Sequence, residues 1–180
     1  MAKPGHGGGA NWPPSSYDPA TGYLYVCATD RTSVFRANDI GPELPPEGQQ
    51  YLGGAFGIVP FGITGIFAAL DMRTNKIVWQ QQWPERCYSG SVVTAGGLVF
   101  VGRSDGRFTA LDSRNGRLLW EFQTGAGVNA PASVFEHRGQ RYITVYSGGN
   151  LFAGSPRGDS VWLFSLNGSI GPVDRPVPTN

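Results

Sequence analysis

A chain of 180 residues with 40% hydrophobic and 15% charged side chains carries enough apolar material for a buried core, which excludes wholesale disorder. Its 14 basic and 13 acidic residues give a formal charge of +1 with no run of one sign, so a basic nucleic-acid-binding face is excluded too. The 27 glycines and 14 prolines, more than a fifth of the chain, punctuate short apolar runs, as an all-β protein with many tight turns requires.

From the N-terminus, Met1, Ala2 and Lys3 lead into a glycine run with no apolar stretch, so no secretory signal is expected in this chain. No apolar run approaches the roughly 18 residues of a membrane span. In Gly8-Gly9-Ala10-Asn11-Trp12-Pro13-Pro14, Asn11 reads either as a turn residue beside the prolines or as a ligand-binding amide. Trp12 is either a pocket residue or a packing residue between sheets. Tyr17-Asp18-Pro19-Ala20-Thr21-Gly22 is a turn that feeds a strand over 23–28. Cys27 and Cys87 form no CxxC pattern and are either two buried thiols or, in an oxidising compartment, a disulfide. Residues 38–61, rich in Pro and Gly, read as a long irregular insertion between repeating units.

A repeat follows. Gly65-Ile66-Phe67-Ala68-Ala69-Leu70-Asp71-Met72-Arg73-Thr74-Asn75-Lys76-Ile77-Val78-Trp79 and Gly106-Arg107-Phe108-Thr109-Ala110-Leu111-Asp112-Ser113-Arg114-Asn115-Gly116-Arg117-Leu118-Leu119-Trp120 place Phe, Ala, Leu, Asp, Arg, a basic residue and Trp 41 residues apart. A period of about 40–45 residues built from strands is one propeller blade. Each copy reads as a hairpin: a strand, an Asp-capped turn whose Asn or Gly accepts positive φ, and a second strand whose Trp covers the neighbouring blade. Weaker copies flank this pair at 17–28, 95–102, 142–146 and 161–168, where Asn167 stands in for the Asp. The tail from 169 to 180, with three prolines, is expected to be poorly ordered. Three to four blade-like units fall short of most closed rings, which need about 4–8, so the chain reads as part of a larger one.

These residues resemble the PQQ-dependent (quinoprotein) alcohol and sugar dehydrogenases, eight-bladed propellers whose blades carry an Ala-x-Asp-x-x-Thr-Gly-x-x-x-Trp docking motif. Residues 69–79 and 110–120 match it, with Asn75 where the family has Gly. Residues 8–19 resemble the family's Gly-Gly-x-Asn-Trp-x-Pro-x-Ser-Tyr-x-Pro segment, and 89–100 its Thr-Ala-Gly-Gly-Leu-Val-Phe segment. Residues 129–131 with 139–143 resemble the segment that closes the catalytic domain. The resemblance covers about residues 5–168 in order. It implies an all-β, partial β-propeller of about four antiparallel blades, taken from the C-terminal half of the ring, with 1–168 as blades and 169–180 as tail.

The resemblance also implies a pyrroloquinoline quinone (PQQ) cofactor. Asn11 matches the amide that hydrogen-bonds the quinone edge at the propeller axis, and Trp12 and Phe152 fall at cofactor-facing positions. Tyr88, Asn150 and Leu151 are secondary candidates, the last two in the glycine-rich loop at 147–152. The family's Ca²⁺ ligands, its Asp base and the basic residue that pairs with the quinone oxygens lie upstream of the Asn-Trp segment. No catalytic residue and no metal ligand is therefore assigned in this chain, which alone is expected to be inactive. Asp18, Asp71, Asp105, Asp112 and Asp159 read as turn caps, and His6 and His137 as surface residues. The implied partners are the missing N-terminal half of the propeller, an alcohol or sugar substrate, and an electron acceptor such as a cytochrome c or membrane quinone. The implied location is periplasmic. No Cys-x-x-Cys-His haem signature is present. The competing readings are a non-catalytic propeller scaffold, as in outer-membrane assembly factors, and a free-standing interaction module of four blades.

Overall fold

The computed structural model describes residues 1–37, 46–59 and 62–175. Within them the chain forms thirteen strands and no helix. The first sheet is ordered β1-β2-β5-β6, from β1 (Ser16–Asp18), β2 (Tyr23–Asp30), β5 (Thr64–Asp71) and β6 (Lys76–Trp83). The second runs β7 (Ser91–Val93), β8 (Leu98–Gly102), β9 (Arg107–Asp112) and β10 (Leu118–Gln123), each paired antiparallel with the next. The third sheet has three strands, β11 (Ser133–His137), β12 (Gln140–Ser147) and β13 (Ser160–Phe164). A separate hairpin joins β3 (Ser33–Ala37) to β4 (Gly54–Ile58).

The repeat becomes geometry at the outer hairpins. Ala69 pairs with Trp79 and Leu70 with Ile77, so Val78 is the extra residue of a β-bulge. Ala110 pairs with Trp120 and Leu111 with Leu118, which makes Leu119 the equivalent extra residue. Cross-strand partners share a face, so the alanine of the motif leaves room beside the tryptophan. Asn75 takes φ 55° and Gly116 φ 72°, the left-handed turn that both copies require. Asp71, Asp112 and Asp105 each accept from the backbone N–H two residues on, and Asp18 from that of Ala20. These four carboxylates are turn caps.

Two cores fill the two seams. The first joins Tyr25, Phe67, Ala69, Trp83 and the Cys27–Cys87 pair to Val99, Val101 and Leu111 of the second sheet. The second joins Phe100, Phe108 and Ala110 to Val128, Val145, Trp162 and Phe164. At the inner end, a Cβ on Gly90 would lie 2.6 Å from Pro14 and 2.7 Å from Pro131, so the entries to β1, β7 and β11 converge on one point. Ser91 N–H donates to Pro14 O at 3.1 Å, and the Ser16 and Ser91 hydroxyls meet at 2.8 Å. Innermost strands that converge while outer tryptophans cover the seams are the arrangement of blades about a hub.

Two points differ from the sequence reading, and one alternative it left open is decided. The segment 38–61 contains strand β4, and because β2 pairs with β5 the segment is inserted within a blade rather than between blades. Residues 38–45, 60 and 61 lie outside the described residues. Cys27 and Cys87 form a disulfide, with Cα atoms 5.3 Å apart across a sequence separation of 60. In the tail, Val173 N–H donates to Gln123 O at 3.1 Å, which fastens that part of it to the second blade. Residues 176–180 lie outside the described residues.

Candidate functional site

An open cleft of about 900 Å³ lies between the first blade, with its inserted hairpin and the loop leaving β6, and the loop after β12 of the third. One wall is the N-terminal stretch with His6, Asn11 and Pro13, and another is the Pro84–Tyr88 loop leaving β6. Leu151 and Phe152, from the loop after β12, close a third side. Phe56, Ile58 and Ile63 add apolar surface from the inserted hairpin and the segment after it.

Specific contacts fix these loops. Asn129, 6% exposed, donates from Nδ2 to Tyr88 O and to Ser104 Oγ, and its Oδ1 accepts from Ser155 Oγ at 2.6 Å. One amide thus ties the loop after β6, the turn after β8 and the loop after β12. Ser104 Oγ donates to Arg86 O at 2.9 Å, and the disulfide holds Cys87 against β2. Gly65 permits this approach, since a Cβ there would lie 2.3 Å from Glu85 O and 2.4 Å from Cys87 N.

The sequence-predicted site residues divide. Asn11, Tyr88, Leu151 and Phe152 come together on the cleft although up to 141 positions separate them in sequence. Asn11 also serves the local turn: Nδ2 donates to Gly7 O at 2.8 Å and Oδ1 accepts from Trp12 N–H at 2.8 Å. One amide hydrogen and one lone pair remain. Trp12 does not line the cleft. It packs edge-on against Tyr88, ring centroids 5.4 Å apart, and so backs the wall instead of forming it. Asn150 is also displaced from the wall. Its Oδ1 accepts from the backbone N–H of Phe152 and Ala153, shaping the turn that presents Phe152 to the cleft.

Sequence reasoning missed the positive charge of the site. Arg31 and Arg86 both line it, and among the described residues neither forms an ion pair with a carboxylate. Burial pushes the Arg31 guanidinium below its ordinary value, and Arg86 adds to the effect. Burial, and then the charges of Arg31 and Arg86, hold His6 below the usual histidine value. His6 is a cleft residue whose Nδ1 meets Ser33 Oγ at 2.9 Å and whose ring lies 4.3 Å from that of Phe56. No spacing or motif marks these three positions. Only the folded loops bring them together.

A planar quinone bearing three carboxylates fits this set: apolar and aromatic walls, an amide with a free N–H, and two guanidinium groups without carboxylate partners. A calcium ion finds no such fit, because among the described residues no cluster of three or more His, Cys, Asp or Glu is placed to hold a metal.

Blades sewn by motif tryptophans around a hub, with a cleft at the loop end, define a portion of a repeat-built β-propeller. Residues 49–171 match the PQQ_2 family, described as outer membrane protein assembly factor BamB, and the chain belongs to that family. A quinoprotein ethanol dehydrogenase of Pseudomonas aeruginosa is 34% identical over 173 residues, 88% of this chain and 27% of that protein. A 1-butanol dehydrogenase (quinone) of Thauera butanivorans shows the same identity and coverage. The solved quinohemoprotein alcohol dehydrogenase of Pseudomonas putida HK5 superposes with a TM-score of 0.86 at 28% identity, over 98% of this chain and 29% of that one. These relatives are quinoprotein alcohol dehydrogenases, and the chain spans about 27% of the length of the curated ones it matches.

Proposed function

We propose that this chain is the PQQ-facing, C-terminal part of a dehydrogenase propeller that oxidises an alcohol or sugar hydroxyl. The observation that carries the reading is the convergence of Asn11, Tyr88 and Phe152, from three distant segments, on one cleft at the hub end of the blades. When bound, PQQ supplies a two-electron acceptor. Asn11 offers its free amide N–H to a quinone oxygen, a neutral donor that does not titrate. Phe152 and Tyr88 present aromatic surface, and Trp12 and Asn150 hold those two in place. The base that takes the alcohol proton and the ligands of a Ca²⁺ ion are assigned to the rest of the ring, as is the substrate-facing surface. An electron acceptor such as a cytochrome c or membrane quinone completes the cycle. The Cys27–Cys87 disulfide supports a periplasmic location, since such bonds persist in oxidising compartments.

A second reading, a non-catalytic propeller scaffold, is favoured by the description of the matched family as an outer-membrane assembly factor. Titration with PQQ separates the two. The dehydrogenase reading expects saturable quenching of tryptophan fluorescence, weakened about tenfold in Phe152→Ala by loss of apolar contact. Absence of saturable PQQ binding by the protein, with or without added Ca²⁺, leaves the scaffold reading standing.

A further inference from the structure

The cleft holds two arginines that, among the described residues, pair with no carboxylate. Arg31, in the link between β2 and β3, is 5% exposed, and its Nε has no hydrogen-bond partner. Its Nη2 lies 3.4 Å from His6 Nε2. Arg86 donates from Nη1 to Phe152 O, a neutral acceptor. The carboxylate adjacent in sequence, Glu85, is already occupied: Arg103 Nε donates to its Oε1 at 2.6 Å, and Arg103 in turn lies over the Trp83 ring. Two cations sharing a partly desolvated wall repel each other, and a buried guanidinium with an unused donor is costly unless an anion joins it. The fork of an arginine matches the two oxygens of a carboxylate. The facing surface from Phe56, Ile58, Ile63 and Phe152 suits an apolar body attached to that carboxylate, and ligand clefts commonly measure about 300–1,000 Å³.

We infer that this cleft is a binding site for an organic carboxylate, its acid group held by Arg31 and Arg86 and its body against Phe56, Ile58 and Phe152. In one of its two forms the inference rests on the quinone reading. The carboxylate is either one of those on PQQ or one carried by the substrate alcohol, and both present the same chemistry to the two arginines.

The test uses the full protein, calorimetric titration and three probes: PQQ, 4-(hydroxymethyl)benzoate and its uncharged amide, with inorganic phosphate as competitor. The benzoate is expected to bind at least about tenfold more tightly than the amide, and Arg86→Gln to remove about ten- to a hundredfold of that affinity, as for hydrogen bonds to charged groups. Arg31→Gln acts in the same direction. Should its thermal unfolding show that it does not fold, Arg86→Gln, at a less buried position, decides alone. Loss of PQQ affinity in Arg86→Gln, with the benzoate as weak as its amide, assigns the site to the quinone's carboxylate. Loss of benzoate affinity while PQQ binding is unchanged or absent assigns it to a substrate carboxylate. If PQQ is absent altogether, the quinone reading fails and the carboxylate site stands. Three outcomes overturn the inference: neither PQQ nor benzoate affinity responding to Arg86→Gln beyond about twofold, acid and amide binding equally while PQQ is indifferent to the arginine, or phosphate displacing the organic acids at equal concentration.

Discussion

The two seams between blades come from the same sequence motif, and they are not built alike. At the first, Trp79 Nε1 donates to Ser113 O at 3.0 Å, an acceptor it shares with the Tyr25 hydroxyl, and the ring lies over the Asn115-Gly116 turn of the next blade. Gln81 donates to Gly116 O, Arg103 reaches Glu85, and the disulfide closes the same region covalently. At the second, Trp120 is 39% exposed and forms no equivalent hydrogen bond among the described residues. Its ring meets Phe164 edge-on at 5.4 Å, within an aromatic cluster that includes Phe122 and Trp162. Thr124 and Ser147 provide one hydroxyl pair there, at 2.7 Å. A docking tryptophan is half of a joint. The other half is the turn offered by the next blade, and the third blade lacks the Asp-capped Asn-Gly turn of the second.

The comparison can be broken most forcefully at the covalent tie. Closing a loop of 60 residues removes about 4 kcal/mol of unfolded-chain entropy, so Cys87→Ala is expected to lower unfolding free energy by about that amount in urea titrations. A midpoint unchanged by the substitution contradicts this account of the first seam. Next come the tryptophans. Trp79→Ala is expected to cost about 3 kcal/mol and Trp120→Ala about half as much, because only Trp79 loses a hydrogen bond along with its packing. Equal shifts would make the seams equivalent. Gly116→Ala adds a Cβ 2.5 Å from the Trp79 ring at a φ of 72°, for a loss of about 2 kcal/mol, whereas Gly168→Ala is expected to stay within about 0.5 kcal/mol.

The smallest effect is the pH dependence of the first seam's ion network. Burial alone would raise the Asp105 carboxyl, but the hydrogen bond from Arg107 and the charge of Arg103 outweigh it and hold the group below its ordinary value. The ionised form is therefore favoured on folding. Its contribution is complete above the unfolded value, near 4, and disappears as pH falls through the lower folded value. Asp105→Asn is expected to flatten the acid limb of stability against pH, recorded by thermal melts, while leaving the neutral region's slope unchanged. An acid limb as steep as that of the parent would assign the loss to other carboxylates.

Much of the fold could be read from residues because blades repeat local grammar. The Ala, Asp, turn and Trp positions of 69–79 and 110–120 each specify something within a hairpin, and hairpins are local. The Asp-capped turns and the left-handed Asn75 follow from the same reasoning. The disulfide was left as one of two alternatives because a sequence separation of 60 carries no information about register. Strand β4 was hidden in a stretch of glycines whose pairing with β3 is a tertiary matter. Of the positions that a resemblance supplied, Asn11, Tyr88, Leu151 and Phe152 line one cleft, while Trp12 and Asn150 stand behind its lining. Arg31, Arg86 and His6 escaped because charge convergence among loops has no one-dimensional signature.

The third sheet stops at three strands among the described residues, where its neighbours have four. Along β13, Val161 and Leu163 face solvent at 71% and 59% exposure, and no lysine, proline or inward charge guards that strand. Its outward amide row is a template on which any extended segment can add by antiparallel registry, intended or accidental. Handled in isolation, the molecule therefore offers β13 as a direction of growth alongside its other edge strands, β6 and β10.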